Sequence, residues 1–234
     1  GHVDVKLEDG TEKSIRIHEI HMEEDAGKLV HDEWEGVSYV DYNRSGVPLI
    51  EIVSEPDMRN AEEVIAYLTK LRNTIQYLGA SDCKLQEGSM RADVNLSVRE
   101  KGSTEFGTRT ETKNLNSFSA IQRAIEAETA RQIDIIEAGG QVVQETRRWN
   151  DDKEYSYAMR SKEDAQDYRY FPEPDLLTIV VDKERIKALK EQIPELPNIK
   201  IKRYVSDYSL SQIDATLIAE DMEKSSLFDS VSYT

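Results

Sequence analysis

Residues 91–98 alternate without a break, and this pattern limits the fold more than any other in the chain. Arg91, Asp93, Asn95 and Ser97 fall on one face of an extended strand, with Ala92, Val94, Leu96 and Val98 on the other. After the turn-like Lys101-Gly102-Ser103, residues 108–114 alternate again and place Arg109, Glu111 and Lys113 together. The two runs predict an antiparallel hairpin with one charged face. Helical spacing brackets it. Val64, Ile65, Leu68, Leu71, Ile75 and Leu78 predict a helix over 61–78, opened by Asn60 with Glu63 and stopped by Gly79. A second helix is predicted from Ser117 to Ala138, with Ile121, Ala124, Ile125, Ile133 and Ile136 inward and Gly139-Gly140 at its end.

Upstream, Val3 to Leu7 reads as a strand, Glu8-Asp9-Gly10 as a turn, and a return strand begins near Ser14 and runs into the polar segment 18–25. Residues 47–54 and 176–181 read as further strands. From about Asp182 the pattern turns helical over 183–192, 203–208 and 212–224, with a break at Pro194 and Pro197. The expected fold is therefore α+β: a largely antiparallel sheet with packed helices over 1–185, then part of a small helical domain over 186–234.

Charge narrows the function. The 234 residues hold 30 Lys and Arg against 46 Asp and Glu, a net charge of −16. General nucleic-acid binding needs clustered cations, so this charge argues against it, without excluding contact with one end of a nucleic acid. No apolar run approaches the roughly 20 residues that span a membrane. The single cysteine, Cys83, rules out an internal disulfide and a four-thiolate zinc site, and it fits a reducing compartment, so a cytoplasmic address is expected. There is no GxxxxGK[ST], GxGxxG or GxSxG motif. Any ATP would have to sit on a sheet.

Two groups of residues carry candidate chemistry. The charged face offers Arg91, Asp93, Asn95, Arg109, Glu111 and Lys113, oxygen ligands and cations of the kind magnesium and a phosphoryl group accept. The same alternation would equally arise from a sheet with one solvated face. Glu51 weighs against that plainer reading, because Leu49, Ile50, Ile52 and Val53 surround it and a carboxylate there needs a cation, a metal or strong donors. His18 and His21, beside Glu23, Glu24 and Asp25, lack a third nitrogen or sulfur ligand at zinc spacing.

Six segments resemble the B subunit of the tRNA-dependent amidotransferases: 21–28 (His-Met-Glu-Glu-Asp-Ala-Gly-Lys), 41–44 (Asp-Tyr-Asn-Arg), 46–57 (Gly-Val-Pro-Leu-Ile-Glu-Ile-Val-Ser-Glu-Pro-Asp), 87–95 (Glu-Gly-Ser-Met-Arg-Ala-Asp-Val-Asn), 112–118 (Thr-Lys-Asn-Leu-Asn-Ser-Phe) and 167–175 (Asp-Tyr-Arg-Tyr-Phe-Pro-Glu-Pro-Asp). They run in family order over about 1–197. The resemblance implies an ATP- and magnesium-dependent carbon–nitrogen ligase with a glutamine synthetase-like cradle. It would phosphorylate the side-chain carboxylate of Glu-tRNA(Gln) or Asp-tRNA(Asn). Amidation would follow with ammonia from an amidase partner, the A subunit, and the small C subunit would join the two.

Carried onto this sequence, the resemblance implies Glu24, Glu23 and Glu51 as metal ligands and Glu51, Asp93 and Lys113 as catalytic residues. Arg91 and Asn95 would hold phosphate or substrate carboxylate. The family's upstream Glu-x-His strand and its tail domain, which makes most of the tRNA contact, are expected to lie outside this sequence, so the fragment alone is expected to be inactive. The alternatives are a non-catalytic scaffold that docks on the amidase and positions tRNA, or another sheet-based carboxylate–amine ligase.

Overall fold

The computed structural model describes residues 1–32, 34–159, 177 and 180–232. They divide into two compact units, Gly1–Tyr67 and Leu68–Thr234.

In the first unit, β1 (His2–Lys6), β2 (Glu12–Glu24) and β5 (Pro48–Ser54) form an antiparallel sheet in the order β1-β2-β5. The expected turn at Glu8-Asp9-Gly10 closes β1 onto β2, with Gly10 at φ +87°. The return strand does not stop before the polar segment but continues as one thirteen-residue strand through His18, His21 and Glu24. Its register shifts between Ile17 and Glu19, a bulge that absorbs one residue and lets the strand pair on with β5. Val5 and Ile15 are buried. A separate hairpin, β3 (Lys28–Asp32) with β4 (Val37–Asp41), was not legible in the sequence.

Helix α1 (Ala61–Tyr77) starts as expected: the Glu63 amide donates to Asn60 Oδ1 at 2.9 Å. The reciprocal half of the cap differs, because Glu63 Oε2 accepts from the Arg59 amide at 2.6 Å and from Lys13 Nζ at 2.8 Å. Gly79, at φ +66°, follows the helix end.

The second unit is built on the sheet β6-β7-β8-β9, formed by β6 (Val94–Leu96), β7 (Thr110–Lys113), β8 (Thr146–Asn150) and β9 (Tyr155–Ala158). The predicted hairpin is β6–β7, shorter than its alternation but antiparallel. Gly107, in the connection, lies against the Val98 backbone, where a Cβ would overlap the Val98 carbonyl oxygen. β8 joins β7 in parallel, and β9 returns antiparallel. The described sheets are thus antiparallel apart from β7–β8, which helix α2 (Phe118–Glu137) connects. Ser117 caps α2 by accepting from the Ala120 amide at 3.0 Å.

The inward stripe of α2 differs from expectation. Ala120, Ile121, Ala124 and Ile125 are buried, but Ile133 and Ile136 are 41% and 45% exposed, and Glu128 and Gln132 take the buried positions. The stripe drifts around the helix, so positions 128 and 132, not 133 and 136, face the sheet.

The expected strand 176–181 falls largely outside the described residues, as does the 167–175 motif. Helix α3 (Lys183–Gln192) matches the pattern. Pro197 opens α4 (Pro197–Tyr208) rather than breaking it, since the first helical position needs no amide donor. The predicted helix 212–224 is two helices, α5 (Gln212–Ala219) and α6 (Met222–Val231), because Asp221 starts a new one by accepting from the Lys224 amide at 3.0 Å. Tyr204, Ala215 and Ala219 form their core.

Candidate functional site

Each unit carries part of the predicted site. In the first, the β2–β5 register sets His21 opposite Glu51 and Glu23 opposite Leu49, while Glu24 lies opposite Pro48. Directly paired residues share a face and successive ones alternate. Glu23 and Glu51 therefore share a face with His21 and Glu19, and Glu24 points to the other side.

The expectation that Glu51 is stranded in apolar surroundings is corrected. Glu51 is exposed to water, and so is its neighbour Ile50 on the opposite face of the strand, so among the described residues nothing covers the sheet on either side of β5 there. His21 Nε2 lies 3.0 Å from Glu19 Oε1, and that bond raises the imidazole pKa, with the charges of Glu51 and Glu23 adding to it. His18 is likewise raised by its bond to Glu55, at 3.0 Å. Asp25, third in the acidic run, acts as a clasp: its carboxylate lies 2.6 Å from Arg44, and its amide donates to the Val47 carbonyl at 2.9 Å. Among the described residues, no three His, Cys, Asp or Glu side chains converge closely enough to hold a metal ion.

In the second unit the charged face forms as its alternation predicts. Thr110 and Thr112 of β7 are buried, so Glu111 and Lys113 face outward, and Asn95 stands opposite Glu111. Lys113 Nζ lies 3.0 Å from Asp93 Oδ2 and 3.1 Å from Glu111 Oε1. Partial burial disfavours the ammonium, but these two carboxylates outweigh it and raise the Lys113 pKa, so the side chain is a cation at neutral pH. Glu111 Oε2 accepts from Thr146 at 2.9 Å. Arg91 is exposed just ahead of β6. The structure thus brings Asp93, Asn95, Glu111 and Lys113 onto one surface.

Sequence reading missed the residues of β8. The parallel register sets Arg148 beside Lys113 and Arg147 beside Thr112. Arg148 is exposed on the charged face. Arg147 is buried on the opposite one, bonded to Glu145 and to Ser156 and 3.5 Å from Glu128. Helix α2 then locks the back of the hairpin. Glu128 Oε1 accepts from Thr110 at 2.7 Å and from Gln132 at 2.8 Å, and Arg131 grips the same carboxylate at 2.7 and 2.8 Å. Gln132 donates to the Leu96 carbonyl at 3.3 Å and accepts from the Val98 amide at 3.1 Å. The available signal was two polar residues, 128 and 132, continuing the apolar stripe Ile121–Ile125 at three- and four-residue spacing.

Comparison with known proteins adds the rest. The family model for the GatB/GatE catalytic domain matches residues 1–187. The chain is 76% identical over 229 residues to the aspartyl/glutamyl-tRNA(Asn/Gln) amidotransferase B subunit of Lachnospira eligens, a match that covers 98% of this chain and 47% of that protein. It is 66% identical to the protein of the same name from Agathobacter rectalis, over 99% of this chain and 49% of that one. Against the Pseudomonas entomophila protein, again of that name, it is 51% identical, over 99% and 48%. The chain spans about half the length of these relatives. No described helix is long and apolar enough to cross a membrane.

Proposed function

Because this chain belongs to the GatB/GatE catalytic-domain family, we propose that it contributes the carboxylate-activating half of a tRNA-dependent amidotransferase. In this reading the parent protein uses ATP and Mg2+ to phosphorylate the side-chain carboxylate of Glu-tRNA(Gln) or Asp-tRNA(Asn). Ammonia from the amidase partner then completes the amide, and the small third component holds the assembly. Residues 1–185 serve as the catalytic cradle and 186–234 as the start of a helical domain. With a net charge of −16, the chain would leave most tRNA affinity to other parts of the protein.

One observation carries the reading: Lys113 is a cation held between Asp93 and Glu111 on the exposed face of a sheet whose back is locked by α2. A cation so held suits neutralisation of phosphoryl oxygens, which is the main work of a phosphoryl-transfer site. Asn95 and Arg91 would orient the phosphate or the substrate carboxylate. Magnesium would supply charge neutralisation at the phosphates. The described residues hold no three-ligand cluster, and Glu24 points to the other side of the sheet from Glu23 and Glu51, so the three do not converge on one ion and each would supply at most part of a ligand set; no step here is routed through the metal.

The test uses the protein extended to the length of its relatives and assembled with its partners. Glutaminyl-tRNA formation and ADP release are measured with ATP, magnesium and glutamine. Lys113→Met and Glu51→Gln are each expected to abolish ADP release while the complex still assembles. Full ADP release in Lys113→Met would overturn the proposal and favour the scaffold reading.

A further inference from the structure

Asn114 follows Lys113 directly, and its backbone is left-handed, with φ +69°. That conformation strains every residue except glycine, although Asn tolerates it better than most. Most described positions of this kind are glycines, Gly10, Gly79 and Gly139 among them. An asparagine here adds something that a glycine lacks, and the hydrogen bonds identify it. Asn114 Nδ2 donates to the Trp149 carbonyl at 3.0 Å, and Asn114 Oδ1 accepts from an Arg148 guanidinium nitrogen at 3.0 Å. The two partners fix the amide orientation, because a carbonyl only accepts and a guanidinium only donates.

The position matters as much as the bonds. The β7–β8 ladder runs Glu111–Thr146, Thr112–Arg147 and Lys113–Arg148, and there it ends. Beyond that last pair the backbone of β7 turns away toward Ser117 and α2, so strand pairing no longer restrains it. The Asn114 amide continues the tie across to Trp149, which is 1% exposed and anchored in the core. We infer that Asn114 is a positioning residue for Lys113: it pins the end of β7 to β8 so that the ammonium is presented at a fixed place on the charged face. This rests on the proposed role of Lys113 in phosphoryl transfer.

The experiment measures kcat and KM for ATP and for aminoacyl-tRNA in the extended, assembled protein, with thermal melting beside it. Asn114→Gly keeps the left-handed backbone without strain and removes only the amide. It should lower kcat for ADP release by about ten- to a hundredfold, the loss that follows from misplacing a catalytic group by about 1 Å, with KM for aminoacyl-tRNA unchanged. Asn114→Asp keeps the size of the side chain but sets a carboxylate against the Trp149 carbonyl, and it should lose kcat in the same way.

A merely structural asparagine would lower the melting temperature of both variants and leave kcat, measured well below melting, unchanged. That result would overturn the inference. Should Asn114→Gly fail to fold, Asn114→Asp decides on the same criterion. Lys113→Met is run in parallel: if it stays active, the proposed function itself fails, whereas an inactive Lys113→Met beside a fully active Asn114→Gly defeats only the positioning role.

Discussion

Replacing Glu128 with leucine removes the group that joins α2 to the back of the β6–β7 hairpin, and the contacts allow its cost to be worked out. The carboxylate is 2% exposed and accepts from Thr110, Gln132 and the Nε and Nη2 of Arg131, with Arg147 at 3.5 Å. Two effects oppose each other. An apolar residue of similar volume avoids desolvating a charge, and replacing a whole buried ion pair in this way is often neutral or stabilising. Here only the anion leaves. Arg147 and Arg131 remain with Glu145 as their carboxylate, and Arg131 reaches it only at 3.8 Å.

The bonds from Thr110 and Gln132 go to an ionised acceptor and are worth about 1.5 kcal/mol each, and the guanidinium pair about 2, but Gln132 keeps other acceptors in Thr110 Oγ1 and the Leu96 carbonyl. Thr110 keeps a weak acceptor in the Leu96 carbonyl, at 3.4 Å, which trims the sum. Glu128→Leu should therefore destabilise the chain by about 3 kcal/mol. In urea denaturation followed by circular dichroism this appears as a lower midpoint with an unchanged slope.

The effect also has a pH signature. Burial raises the Glu128 pKa, but the bonds from Arg131, Gln132 and Thr110 outweigh it and leave the pKa below that of an ordinary glutamate. Its stabilisation is thus fully present above the unfolded-state pKa of about 4.3 and is lost as pH falls through the lower folded value. The gap between wild type and Glu128→Leu should be constant near neutrality and shrink below about pH 4.3. A cost under about 1 kcal/mol at pH 7, or a gap that does not change with pH, would refute the network as described.

Two further predictions concern backbone contacts. Gly107→Ala would drive a methyl into the Val98 carbonyl, a backbone atom that cannot swing aside, and should cost about 1–3 kcal/mol in the same denaturation assay; an unchanged midpoint would show that the connection is free to move. The Asp57 carboxylate accepts from the side chain and the backbone amide of Arg16 at 2.7–3.0 Å, which holds its pKa at about 2. Its stabilising effect is present above the ordinary aspartate value of about 3.9 and is lost as pH falls through about 2. Carboxyl chemical shifts read this directly, and Arg16→Met should move the Asp57 midpoint upward.

The charged hairpin was legible in the sequence because a strand's side chains alternate whatever packs against them, so 91–98 and 108–114 announced their faces locally. Helix ends were legible where a side chain caps them, as at Ser117 and Asn60. What stayed hidden depends on partners distant in sequence. The three-residue register of β7 with β8 joins residues 35 apart, so nothing near Lys113 foretold Arg148. The inward face of α2 was misjudged for a related reason. Ile133 and Ile136 look like core by hydropathy, whereas Glu128 and Gln132 look like surface until Thr110, Leu96 and Val98 are brought beside them. Glu51 fails in the opposite direction: its apolar neighbours suggested burial, but both Ile50 and Glu51, on opposite faces of the strand, are exposed, so at this point neither face of the sheet is covered among the described residues.

These cases share a cause. Local pattern fixes which way a side chain points, and only long-range pairing decides what it meets. The residues most easily overlooked are therefore the polar ones that couple one element to the next. Glu128, Gln132 and Asn114 are of this kind. The first two hold the hairpin from behind and the third ties its end to the neighbouring strand, so the presentation of Lys113 depends on side chains that hydropathy would assign to the surface.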